Sequence, residues 1–223
     1  MSPVNPILKR TITGIAVGAV VAAAILFAPS SAVMPVVLCL IALAVVEFAL
    51  LMRMKVRRWT VLPCAAFLVG AAVIAFGLWA LVEIALRHGN LMLLYIVAIV
   101  KFSDIGGFAL GVSSAKLMNG RNHKLCPAVS PGKSWEGLLG SIVFSCAVSL
   151  AFVSVTHFAV AKALAFGVAA ALVGTAGDLV ESKFKRWVGV KDSSALKITN
   201  GMGGILDMID SLLFAPAVLL PFL

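Results

Sequence analysis

Asp207 and Asp210 stand three residues apart in an apolar run near the end of a 223-residue chain. On a helix, that spacing puts both carboxylates on one face. Asp178 closes another apolar run, and Asp104 lies near the end of a third. An acid at mid-bilayer costs about 2.5–3.5 kcal/mol on insertion scales, so carboxylates carried by such runs are functional candidates. Oxygen-rich groups of this kind suit Mg²⁺, which takes one or two carboxylates together with phosphate oxygens and water. The plainer alternative is solvation at helix ends, because acids are favoured near helix N-termini. Asp178, Asp207 and Asp210 are the candidate metal ligands. Glu47 and Glu83 read instead as packed or interfacial acids.

Cations and glycines crowd the same stretches. If the helix carrying Asp178 continues past the apolar run, Asp178, Ser182, Lys185 and Arg186 share a face. That face presents a carboxylate, a hydroxyl and two cations. Lys191 and Asp192 follow, and then Gly201, Gly203 and Gly204 lead into the run that carries Asp207. A glycine turn ahead of a helix offers backbone N–H groups to an anion. A second polar stretch reads Ser130-Pro131-Gly132-Lys133-Ser134-Trp135-Glu136-Gly137. Its Ser-Pro pair opens a turn, and Lys133 could ground a phosphate charge. Trp135 fits an interfacial anchor as well as a base-stacking ring. No catalytic role is read for His88, His123 or His157.

The elements that must position these groups follow from composition. Hydrophobic residues make up 62% of the chain and charged residues 12%, against about 25% charged in ordinary soluble domains. Mean hydropathy is +1.11. A soluble enzyme, a disordered chain and a nucleic-acid-binding domain are all excluded, because so much apolar surface cannot be hidden from water at this length. A β-barrel would alternate lumen-facing with lipid-facing residues, and that pattern is missing. The expected fold is all-α and polytopic, with about seven spans near 11–28, 33–52, 61–82, 91–111, 138–156, 159–180 and 205–222. Residues 1–90 form N-terminal transmembrane helices. Residues 91–223 form the catalytic region, with polar loops at 112–137 and 181–204. Fifteen Lys and Arg fall in alternate connections and two in the others, with Lys101 inside a span. This asymmetry places the N-terminus and both long loops in the cytoplasm and the C-terminus outside. The net charge of +9 therefore meets anionic headgroups rather than nucleic acid. Gly14-x-x-x-Gly18 and Gly107-x-x-x-Gly111 have the spacing of close helix packing in lipid. The four cysteines show no CxxC spacing, and three of them read as small hydrophobes within the apolar runs.

On these residues the chain resembles the phosphatidate cytidylyltransferases, also called CDP-diacylglycerol synthases. That signature runs S-x-x-K-R-x4-K-D, then a glycine turn, then a pair of aspartates three apart. Ser182, Lys185, Arg186, Lys191, Asp192, Gly201, Gly203, Gly204, Asp207 and Asp210 follow it in order. Gly177-Asp178-Leu179 with Ser182, the Ser130–Gly137 stretch, and Asp104 through Gly111 match further motifs of the family. The resemblance covers about residues 100–215. It implies CTP and phosphatidate as substrates, Mg²⁺ as cofactor, a bacterial-type inner membrane with the site facing the cytoplasm, and room for a homodimer. It assigns catalysis to Asp178, Asp207, Asp210, Lys185 and Arg186. Substrate binding falls to Asp104, Ser130, Lys133, Glu136, Ser182, Lys191, Asp192 and the three turn glycines. Met202 and Met208 stand where the family has a histidine and an arginine, and Asn200 where it has a proline. Methionine supplies neither charge nor a strong hydrogen bond, so slower turnover is expected. A CTP-dependent lipid or polyprenol kinase, and an impaired homologue that only binds nucleotide or lipid, are the alternatives.

Overall fold

The computed structural model describes residues 6–190, 193 and 204–223, with side chains from residue 17 onward. Every apolar run is helical. Helices α1 (Pro6–Phe27), α2 (Val33–Lys55), α3 (Val61–His88) and α4 (Asn90–Leu117) form the first half. A short antiparallel pair, β1 (Lys124–Cys126) and β2 (Ser130–Ser134), leads into α5 (Trp135–Ala151) and a single turn, α6 (Val153–Thr156). Helices α7 (Val160–Val188) and α8 (Ile205–Leu219) complete the bundle. Among the described residues, five helical segments are long and apolar enough to cross a membrane: Ser30–Lys55, α3, α4, α7 and Ile205–Phe222. Val17–Phe27 and α5 are shorter apolar helices.

Several helices outrun the expected spans. The α3–α4 reversal takes place at one residue, Gly89, whose φ of 84° is cheap only for glycine. Helix α7 continues two turns beyond its apolar run, and Gly189 closes it in the left-handed region. Helix α5 stops at Ala151, earlier than the expected 156, because the chain turns through α6 to His157 at φ 55°. The β1–β2 hairpin departs from the expected all-α fold. Its strands are three and five residues long, with no apolar alternation to reveal them.

Helix contacts are made by small residues and by hydroxyls. A Cβ built on Gly106 would collide with the Gly140 carbonyl, and one on Gly140 with the Gly106 carbonyl, so the α4 and α5 backbones touch there. Gly107 and Gly111 lie on the same contact, against Ser141 and Gly137. At Gly18 nothing among the described residues stands within 4 Å of a Cβ. Hydroxyls cross between helices: Ser141 Oγ donates to Ser103 O at 2.9 Å, and Ser145 Oγ to Gly167 O at 2.8 Å. The buried Tyr95 hydroxyl meets Ser149 Oγ at 2.7 Å. In lipid such bonds hold helices where apolar burial supplies no drive. Cys39 and Cys64 face outward instead of packing inside.

Candidate functional site

The acids of three helices meet at one end of the bundle. Asp104 on α4 accepts from Lys101 Nζ at 3.2 Å and from Ser211 Oγ at 2.8 Å. Lys101 also reaches Ser211 Oγ and the Met208 carbonyl of α8, at 3.0 and 3.1 Å. Asp178 on α7 accepts from Lys133 Nζ at 2.8 Å, and the same ammonium donates to the Thr175 carbonyl at 3.3 Å. Asp210 on α8 accepts from the Ser211 amide. The charge of Asp178 acts on both Asp104 and Asp210. Three carboxylates and two ammonium groups thus form one cluster, with α4, α7, α8 and the β2 strand as its walls. The close α7–α8 approach is set by Gly177, where a Cβ would meet the Phe214 ring and the Asp210 carbonyl.

Asp207 belongs to a neighbouring cluster. Its Oδ1 takes Lys185 Nζ at 2.5 Å, and Lys185 also pairs with Glu181 at 3.0 Å. Its Oδ2 accepts from the amides of Gly204 and Ser193, at 2.8 and 2.9 Å. It therefore caps the start of α8, a role that carboxylates near helix N-termini favour. Buried Glu47 reaches across from α2 and accepts from the Leu206 amide at 2.9 Å. A Cβ on Gly204 would collide with Glu47 and Ser193, so only glycine fits there.

The expected residues thus divide. Asp104, Lys133, Asp178 and Asp210 come together, while Lys185 and Asp207 pair one step away. Arg186 turns to the Val190 carbonyl at 3.1 Å, at the end of α7. Ser182 is half-buried on α7, and Ser130 pairs with Cys126 in the hairpin. Glu136 fastens the hairpin to α5: its Oε1 accepts from the His123 amide at 3.1 Å and faces His123 Nδ1 at 2.8 Å. Those two contacts hold its carboxyl down at about 2. Lys191, Asp192, Gly201 and Gly203, together with Asn200 and Met202, lie outside the described residues. Lys101 received no role from the sequence, although a lysine inside a span three residues before Asp104 was the available signal.

Two observations bear on a metal. Among the described residues, no three His, Cys, Asp or Glu side chains stand ready as a ligand set. Asp178 Oδ1, however, is buried without a hydrogen-bond partner among them. A magnesium ion needs only one or two carboxylates when phosphate oxygens and water complete its shell, so this donor set fits. Asp207 fits less well, because both of its oxygens are engaged.

The cytidylyltransferase family description matches residues 63–223. The chain belongs to that family. A phosphatidate cytidylyltransferase of Haemophilus influenzae is 41% identical over 134 residues, which are 56% of this chain and 43% of that protein. One from Staphylococcus aureus is 36% identical over 160 residues, 71% of this chain and 58% of the relative. The Escherichia coli protein named YnbB is 36% identical over 139 residues, 62% of this chain and 44% of its own. This cytidylyltransferase-family chain spans about half the length of the curated relatives it matches. The matched region includes α3 to α8, and so every helix that brings an acid to the Asp104–Asp178–Asp210 cluster.

Proposed function

We propose that the chain is an integral membrane nucleotidyltransferase that converts CTP and phosphatidate into CDP-diacylglycerol and diphosphate. The observation that carries this reading is the meeting of Asp104, Asp178 and Asp210 from three helices, with Lys101 and Lys133 among them, in a member of the cytidylyltransferase family. The names of the relatives point to the same substrates.

A phosphate monoester is largely dianionic at pH 7, with its second pKa near 6. The headgroup oxygen of phosphatidate therefore needs little help from a base. It attacks the α-phosphorus of CTP. A P–O bond forms there, and the bond to the bridging oxygen breaks, leaving its electron pair on diphosphate. The obstacle is repulsion between two anions, and the cluster answers it with cations and alignment. Lys133 and Lys101 stand where phosphate oxygens would replace carboxylates as their partners. Lys185 is held beside the cluster by Asp207 and Glu181, at the start of α8. Mg²⁺, when bound, supplies further screening of the phosphate charge, and Asp178 and Asp210 are the residues that would hold it, with Asp104 adjacent. Asp207 would orient Lys185 and fix the start of α8. The basic asymmetry supports placing this site at the cytoplasmic face of a bacterial inner membrane, with the lipid entering from the inner leaflet, in a monomer or a homodimer.

The test is to give purified protein CTP labelled in the cytosine, phosphatidate vesicles and Mg²⁺, and then extract the lipids. Label in CDP-diacylglycerol supports the reading. Label released as CDP alone would replace it with a lipid kinase. Nucleotide bound without any labelled product would replace it with a binding protein.

A further inference from the structure

Ser211, on α8, is fully buried. Its hydroxyl donates to Asp104 Oδ2 at 2.8 Å and accepts from Lys101 Nζ at 3.0 Å, and its amide donates to Asp210 Oδ1 at 2.6 Å. One neutral residue thus touches a cation and two of the three acids of the cluster. Three other serines buried between helices do something different. Ser141, Ser145 and Ser149 donate to backbone carbonyls of neighbouring helices, and among the described residues they meet no charged group.

An ammonium has three donors and no acceptor. Lys101 gives its three to Asp104 Oδ2, Ser211 Oγ and the Met208 carbonyl, at 3.2, 3.0 and 3.1 Å. The Lys101 and Asp104 side chains are each 35% exposed, and a lysine stem is long and flexible. As a pair alone, the two would be free to turn together into solvent. Two of the three acceptors belong to α8, and Ser211 is the one that also holds Asp104.

We propose that Ser211 is a positioning residue for the transfer reaction: it fixes Lys101 Nζ against α8 while one N–H of that ammonium changes partner from Asp104 to a phosphate oxygen of the substrate. With the phosphate oxygen in place, Ser211 Oγ and the Met208 carbonyl still hold the ammonium. The Ser211 hydroxyl still donates to Asp104, so the displaced carboxylate keeps a donor. A cation held in this way needs no reorganisation when charge moves at the reacting phosphorus. The inference deepens, and rests on, the reading of this cluster as the site of nucleotidyl transfer.

The experiment compares variants of the full chain, purified in detergent, by CDP-diacylglycerol formation at saturating CTP and phosphatidate and by thermal unfolding. Ser211→Ala should lower kcat about ten- to a hundredfold, the range for a hydrogen bond to a charged group. Lys101→Met should cost more, about 10²–10³. The double variant should be little slower than Lys101→Met alone, because Ser211 then has no cation to hold. Ser211→Thr keeps the hydroxyl and should recover most of the rate. Gly174 of α7 leaves room beside it, since even a Cβ there would stand 3.8 Å from Ser211 Cβ. Ser145→Ala is the control: it should lower the unfolding temperature and leave kcat of the folded protein unchanged. Three outcomes each overturn the positioning role: losses that multiply in the double variant, a folded Ser211→Thr as slow as Ser211→Ala, or a Ser211→Ala that behaves like Ser145→Ala. Ser211→Ala and Ser211→Thr decide the matter by themselves if Lys101→Met does not fold. A parent that makes no CDP-diacylglycerol sinks the functional reading, and this inference with it.

Discussion

Carboxylates of the same type do different work here because their partners differ. Asp178 keeps one buried oxygen without a partner among the described residues, whereas both oxygens of Asp207 are engaged by Lys185 and two amides. Substitutions should separate these roles. Asp178→Asn and Asp210→Asn should each lower turnover by about 10²–10³, the cost of losing one preorganised electrostatic group at a phosphoryl centre, with little change in thermal unfolding. Asp207→Asn should lower turnover and also destabilise the protein by about 1 kcal/mol, because it weakens a helix cap. Paired measurements of turnover and unfolding temperature check this. An Asp178→Asn variant that unfolds early while its folded fraction stays fully active would mark that acid as structural.

At the scale of elements, the site depends on two junctions. One is the α4–α5 contact, which closes on Gly106 and Gly140. Gly140→Leu must push the α4 backbone away, so it should cost about 1–3 kcal/mol, the usual range for overpacking. It should lower folded yield and activity together, and a thermal melt in detergent reads the first. The other junction is Glu136, which ties the hairpin, and hence Lys133, to the start of α5. Its carboxyl is held at about 2, against an ordinary 4.5, by the His123 amide and imidazole. A carboxylate whose pKa falls on folding adds stability that is present above its ordinary value and lost as pH drops through the folded one. The difference in unfolding temperature between the parent and Glu136→Gln should therefore hold from neutral pH to about 5. It should shrink between pH 4.5 and 2. A difference that stays constant down to pH 2 would disconnect this carboxylate from hairpin anchoring.

For the whole molecule, the issue is orientation in the bilayer. The two basic residues on the sparse side both have local partners. Arg87 pairs with Glu83 at 2.5 Å, and Lys162 Nζ lies 4.0 Å from the Phe158 ring centre. Fifteen of the other sixteen fall in the connections expected to face the cytoplasm, and Lys133 and Lys185 among them point at carboxylates of the site. Reporter fusions in the 53–60 and 112–137 connections should report cytoplasm, and a C-terminal fusion should report the outside. An outside signal from 112–137 would put Lys133 on the side without CTP and remove the proposed reaction.

Composition and charge order alone determine that this chain is an all-helical membrane protein and where its apolar runs lie. Both are properties of residue type along the chain, because apolar length sets the runs. Asp104, Asp178 and Asp210 were legible for the same reason, since a charge in or beside an apolar run stands out without any fold, and Lys133 was legible from its polar Ser-Pro-Gly-Lys stretch. Which acids meet was not legible. The three-residue spacing pairs Asp207 with Asp210, yet a helix face is wide enough for two neighbours to serve different partners. Asp207 turned to Lys185 and the start of α8, and Asp210 to the side facing Asp178. The roles of Lys101 and Glu47 depend on contacts spanning 107 and 159 residues of sequence. Only the packing of α2, α4, α7 and α8, set by where glycine lets backbones touch, brings such groups within hydrogen-bond reach.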